Sequence, residues 1–217
     1  SVNMNVLDTM GLISSSFGLW MGAKGGQSVE LLNKERFRYI NLQFEGDVLV
    51  AGAGPAGLAA ALAAADAGAR VILCDEQAEI GGSLLDGGPA QIDGLAVGDW
   101  LGRSLALLAA NPRVRLLSRT TAFGYFPHNS VGLVERLTDH LADPPAGKAR
   151  ERLWQVRARE VVLAAGAIEQ PLVFAGNDRP GVMLAGAAQS YLRRYGVRAG
   201  TRAALVTATD AGYLAAL

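Results

Sequence analysis

The chain has one cysteine, Cys74, and two histidines, His128 and His140, in 217 residues. A lone cysteine excludes an internal disulfide framework and any Cys-x-x-Cys dithiol, and with it the redox pair of disulfide reductases. Two histidines and one cysteine are too few for a zinc or thiolate-cluster site, so no metal site is assigned. Cysteine scarcity makes a reduced, cytoplasmic setting the default. Excess charge is missing as well: 20 lysines and arginines balance 20 aspartates and glutamates. No bulk field therefore draws a nucleic acid or an anionic membrane. A membrane-spanning run is also lacking. Met10–Met21 is apolar in part, but it is short, is broken by serines and carries no basic lead-in. It reads as a packing segment or a partner-facing arm.

What the chain does have is apolar bulk, half of its residues, together with abundant alanine and 27 glycines. These suit tight packing of helices on a sheet. The informative stretch is Asp47–Gly57, DVLVAGAGPAG. An apolar strand runs into Gly52-Ala53-Gly54-Pro55-Ala56-Gly57, a G-x-G-x-x-G match, and an Ala/Leu helix follows, closed by Gly68. Gly52 can take the backbone angles of the tight turn, Gly54 lets a pyrophosphate approach the backbone, and Gly57 lets the helix lie close to the strand. The free N–H groups at the helix start, reached past Pro55 and Ala56, face the phosphates. The second strand, Arg70–Cys74, is nearly all apolar, as a parallel strand covered on both faces must be. It ends at Asp75, about 20 residues beyond the glycine turn, where a carboxylate accepts hydrogen bonds from adenosine ribose hydroxyls. Asp75 would repel a 2′-phosphate, and no arginine follows within the next few residues, so NADP is disfavoured. Glu76 shares the ribose or faces solvent. Gly81-Gly82-Ser83 is placed for a second approach to the dinucleotide, with Gly82 and Ser83 against the phosphates.

The remaining pattern predicts an α/β, Rossmann-like dinucleotide-binding domain with a small antiparallel β insertion. Residues 1–45 form a lead-in, with short helical pieces at Met4–Leu12 and Val29–Leu32 and an extended, basic-aromatic Lys34–Phe44. Residues 46–199 form the dinucleotide-binding domain. A helix is expected over Ile92–Ala110, stopped by Asn111-Pro112, then a strand at Val114–Leu117. Antiparallel strands are expected at Thr120–Tyr125, Gly132–Leu137 and Leu153–Ala158, with the polar loop Ala142–Arg150 as a hairpin tip. Another buried strand, Val161–Ala164, runs into Ala165-Gly166, and a helix covers Leu184–Tyr195. Residues 200–217 begin a second, incomplete nucleotide-binding-like unit, with a strand at Thr201–Thr207 and a helix from Thr209. Nothing in the sequence packs against these last elements, which suggests a piece of a longer protein. Thr207–Gly212 lacks the first two glycines of a second fingerprint, so one dinucleotide site is expected. No catalytic residue is assigned: the sequence offers no nucleophile–base pair, and His128 reads as a surface loop residue.

Three segments together, DVLVAGAGPAGLAAALAAADAGARVILCDEQAEIGGSLL, RTTAFGYFPHN and REVVLAAGAIEQPLVFAGNDRPGVM, resemble the alpha subunit of heterotetrameric sarcosine oxidases. Opine-oxidising and cyanide synthase subunits share the pattern. The segment VVLAAG resembles the "ATG" crossing of two-dinucleotide-domain flavoproteins, with Ala165 in place of the threonine and Gly166 retained. The resemblance implies oxidative demethylation of sarcosine to glycine with hydrogen peroxide formation. It also implies FAD in a beta subunit, FMN at the alpha–beta interface, further gamma and delta subunits, and NAD held by this chain. Carried over, the NAD contacts fall on Ala56, Asp75, Glu76, Gln77, Ser83 and Ala122. Three other readings stand beside it: a self-contained FAD-dependent pyridine-nucleotide oxidoreductase, an opine or amino-acid dehydrogenase subunit, and a scaffold that kept the fold for packing.

Overall fold

The computed structural model describes residues 29–34, 37–87, 91–146, 148–208, 210 and 212–213, with side chains from Glu45 onward. The expected helix at Met4–Leu12 and the arm at Met10–Met21 lie outside these residues. A seven-stranded sheet carries the fold. Strand β1 spans Val29–Lys34 and β2 spans Phe37–Ala51. Helix α1 (Pro55–Asp66) leads to β3 (Val71–Cys74). A short hairpin follows, β4 (Gln91–Ile92) and β5 (Leu95–Ala96), and then helix α2 (Val97–Ala110) and β6 (Val114–Leu117). Strands β7 (Thr120–Phe126), β8 (Ser130–Arg136) and β9 (Glu151–Leu163) complete the sheet, and helix α3 (Ala185–Tyr195) lies beyond it.

The order β6-β3-β2-β9-β8-β7 joins two halves. The β6-β3-β2-β9 ladders are all parallel, and the β9-β8-β7 ladders are antiparallel. Strand β9 belongs to both halves, and β2 lies beside its whole length. They pair in parallel from Tyr39↔Glu151 through Ala51↔Leu163. This long ladder explains why Leu153–Ala158 and Val161–Ala164, expected as separate strands, form one: backbone pairing to β2 carries the strand through the charged residues between them. Arg159 reaches Asp47 there, 3.6 Å from Nε to Oδ1.

Side chains alternate across a strand, so a doubly covered sheet builds two cores. Leu49, Ile72 and Cys74 face one side with Leu133, Trp154 and Val156 from the antiparallel half. Val50, Val71 and Leu73 face the other side with Leu58 and Ala61 of α1 and Trp100 and Leu108 of α2. The site therefore stands on a floor fixed from both sides.

Three expectations are corrected. Val29–Leu32 is strand, paired antiparallel with β2, because an adjacent strand supplies a ladder that a short isolated helix would lack. The helix expected over Ile92–Ala110 begins only at Val97. Asp93 and Gly94, both at positive φ (51° and 75°), make the two-residue turn of a β4–β5 hairpin, and Asp93 accepts a hydrogen bond from Trp100 Nε1 at 3.2 Å. Thr201–Thr207 is not strand: its apolar residues pair with no strand among the described residues, and a strand exists only through such pairing.

Candidate dinucleotide site

The glycine turn sits at the C-terminal edge of the parallel strands, where open α/β sheets bind ligands. Gly52 has φ +101°, and a Cβ there would stand 2.2 Å from the carbonyl oxygen of Ala164. A Cβ on Gly57 would stand 1.8 Å from the oxygen of Gly52. Both positions admit only glycine, one for its backbone angle and its contact with the end of β9, the other for the close seating of α1. Ala164 N–H donates to Ala51 O at 2.8 Å, which carries the chain to Ala165 and Gly166 right beside the turn. Gly54 caps α1 and Pro55 opens it, and the first intrahelical bond is Leu58 N–H to Gly54 O at 2.9 Å. The N–H groups of Ala56 and Gly57 lie in the first turn, where a helix has no acceptors of its own. They are the natural donors to a phosphate.

The double-glycine loop closes over this turn. A Cβ on Gly82 would stand 2.8 Å from the Cα of Gly54. The backbones are thus in contact, and Ser83 is exposed at the start of a single 3₁₀ turn, Gly82–Leu84.

Asp75 ties the two ends of the site together. Its Oδ2 accepts from Ala53 N–H at 2.7 Å, inside the glycine turn, and its Oδ1 accepts from Gln77 N–H at 2.8 Å. A carboxylate has about four acceptor positions. Two are used to orient the group, and two remain for the hydroxyls of a ribose. Glu76 and Gln77 are exposed beside it. Thr120 N–H donates to Asp75 O at 2.7 Å, which brings β7 to this edge, and Ala122 stands two residues further along β7 at an exposed position. The structure therefore gathers the glycine turn, Asp75–Gln77, Gly82-Ser83 and Ala165-Gly166 at one edge, with Ala122 on the adjoining strand.

Several participants carry no sequence signal. Ala53 and Ala164 act through their backbones. Arg136 Nη2 donates to the carbonyl of Glu76 at 3.0 Å, and Arg119 N–H donates to that of Gln77 at 2.8 Å. Only folding brings these arginines to the Asp75–Gln77 rim, since in sequence no arginine follows Asp75 within the next few residues.

Burial pushes the Cys74 thiol up to about 11, which keeps it protonated and unreactive. His128 is exposed in the β7–β8 turn at φ +63°. Among the described residues no cluster of His, Cys, Asp and Glu could hold a metal ion, and no helix is long and apolar enough to cross a membrane.

This geometry coincides with a family match. The model of the FAD dependent oxidoreductases fits residues 47–164, from Asp47 within β2 to the residue against Gly52. The chain belongs to the FAD-dependent oxidoreductase family. Within that family it is 52% identical over 176 residues to the sarcosine oxidase subunit alpha of Corynebacterium sp. (strain P-1), covering 81% of this chain and 18% of that protein. It is 53% identical over 167 residues to the subunit of the same name in Rhizobium meliloti (strain 1021), covering 77% of this chain and 17% of that one. The chain thus spans about a fifth of the length of these relatives. Among solved structures, L-proline dehydrogenase from P. horikoshii is similar with a TM-score of 0.59 and 26% identity, over 74% of this chain and 30% of that chain. The family match thus agrees with the α/β fold described above.

Proposed function

We propose that this chain is the dinucleotide-binding portion of an alpha-type subunit in a hetero-oligomeric sarcosine oxidase, and that it holds NAD. The carrying observation is Asp75, whose carboxylate is braced by Ala53 and Gln77 N–H groups at 2.7 and 2.8 Å beside the glycine turn. Gly52, Gly54, Pro55, Ala56 and Gly57 would hold the pyrophosphate, with Gly82 and Ser83 above it and Ala165 and Gly166 alongside. Asp75, Glu76, Gln77 and Ala122 would form the adenosine end. The residues fit an adenine dinucleotide: glycines where backbone must meet phosphate, free helix N–H groups, and spare acceptor capacity on Asp75.

A bound nicotinamide dinucleotide would supply hydride-transfer capacity or a structural anchor. Amine oxidation would rest with FAD in a beta-type subunit and FMN at the subunit interface, turning sarcosine into glycine with formation of hydrogen peroxide. Gamma- and delta-type subunits would complete a cytoplasmic heterotetramer. Residues 1–45 would be its lead-in, 46–199 its dinucleotide-binding domain, and 200–217 the start of a second nucleotide-binding-like domain. Support comes from the identity to sarcosine oxidase alpha subunits and from Asp75, whose charge opposes a 2′-phosphate.

A second reading is FAD in this same site, favoured by the family match itself. Denaturing the purified assembly and identifying released nucleotides by mass spectrometry separates the two. NAD in stoichiometric amount with this subunit is the expected result, together with peroxide formation on sarcosine. FAD as the only adenine dinucleotide, with none assignable to the partner subunits, would replace the NAD reading.

A further inference from the structure

We infer that Arg136 is a positioning residue for the adenosine end of the dinucleotide site, an inference that rests on the reading above. The rim Asp75–Gln77 follows β3 and has to hold its shape for Asp75 to meet a ribose. Backbone bonds hold both of its ends. Asp75 N–H donates to Leu117 O at 2.9 Å, Thr120 N–H to Asp75 O at 2.7 Å, and Arg119 N–H to Gln77 O at 2.8 Å. The carbonyl between them, that of Glu76, is held by a side chain: Arg136 Nη2 donates to it at 3.0 Å. The backbone of Arg136 donates as well, to Arg119 O at 2.9 Å. One residue at the end of β8 thus clamps the rim directly and steadies the corner that holds it. That corner is strained, since Arg119 has φ +52°, a conformation non-glycine residues keep only where surroundings enforce it.

The charge has a consequence of its own. A guanidinium beside Glu76 places a cation against a rim that bears two carboxylates, Asp75 and Glu76. The cross-strand partner of Arg136 is Glu151 on β9, so the cation also faces a carboxylate of the sheet. The ligand class is an adenosine diphosphate moiety with a free ribose 2′-hydroxyl.

The test uses the full protein in its assembly, depleted of nucleotide, with ADP-ribose and NAD as probes. Arg136→Met should weaken both by the same factor, about tenfold, the loss of one charge-assisted hydrogen bond. Arg136→Lys, whose ammonium can reach the same carbonyl, should recover most of the loss. Hydrogen exchange at the Gln77 amide should rise in Arg136→Met, while the melting temperature of the nucleotide-free protein stays within a degree or two. Unchanged ADP-ribose affinity in Arg136→Met, with tight binding by the unsubstituted protein, would overturn this inference and leave the dinucleotide reading standing. Equal losses in the Met and Lys variants, or a fall in melting temperature matching the loss of affinity, would also overturn it. If the unsubstituted protein binds neither probe, both readings fall together.

Discussion

The body of the molecule, Asp47–Leu163, and the segment that follows it use equally apolar sequence to opposite ends. In the body every residue of β3 is buried, and Trp154 is 1% exposed. In the following segment Ile168 is 88% exposed and Val173 96%, and helix α3 has no buried residue at all. Composition does not separate the two. Neighbours do: β3 lies between β2 and β6 with helices on one face and the antiparallel strands on the other, whereas residues 164–208 pair with no strand among the described residues. Apolar side chains predict burial only where a second layer exists to receive them. The trailing segment holds itself by polar contacts. Glu169 accepts from Ala185 and Gly186 N–H at 3.2 and 2.8 Å, capping α3 from 16 residues upstream, and Arg194 reaches Glu79 at 3.4 Å.

The largest expected contrast comes from truncating one apolar side chain in each region. Trp154→Ala should cost about 3–5 kcal/mol in chemical denaturation. Val173→Ser should stay within about 0.5 kcal/mol. Similar costs at the two positions would break the comparison. Next, Gly57→Ala puts a Cβ into the carbonyl of Gly52 and should cost about 1–3 kcal/mol by overpacking, with loss of dinucleotide retention measured on the same sample. Smaller is Glu169→Ala, which removes the acceptor at the α3 N-terminus. It should cost about 0.5–2 kcal/mol, read as faster hydrogen exchange confined to residues 185–195. Spread of that exchange into β3 or β9 would show the two regions to be one cooperative unit.

The smallest effect is a pH dependence at the foot of the body. Hydrogen bonds from Arg70 hold the Asp47 carboxyl at about 2, below its ordinary 3.8. A depressed carboxylate stabilises the fold above its unfolded value and loses that contribution as pH falls toward the folded one. Asp47→Asn should therefore lower stability slightly at neutral pH and flatten acid unfolding between about pH 4 and pH 2, so that the two proteins converge at the acid end.

What could be read from the sequence divides along the same line. The glycine turn, the strand Arg70–Cys74 and Asp75 were legible because their spacing is local: strand, turn and helix lie within thirty residues, and each glycine has a steric reason to be there. The helix over Leu184–Tyr195 was legible for the same reason, its C-terminal Gly196 taking the left-handed angles (φ +65°). The β4–β5 hairpin turns on Asp93-Gly94, a dipeptide suited to such a turn, but the helix expected over Ile92–Ala110 ran straight through it. Arg136 could not be read at all, because it meets Glu76 across sixty residues of chain. Thr201–Thr207 has strand-like residues and no ladder. Whether such a stretch pairs is decided by what lies beside it, which no periodicity encodes.

The central claim is that Asp75 and the glycine turn form one adenosine-ribose and pyrophosphate site. The most direct measurement is titration of the nucleotide-depleted assembly with NAD and NADP, for the unsubstituted protein and for Asp75→Asn. The account predicts that the unsubstituted protein prefers NAD by at least about tenfold, roughly the 1.4 kcal/mol of one lost or repelled contact. It predicts that Asp75→Asn binds NAD more weakly and loses most of that preference. Equal affinity for the two nucleotides before substitution, or a preference untouched by Asp75→Asn, would contradict it.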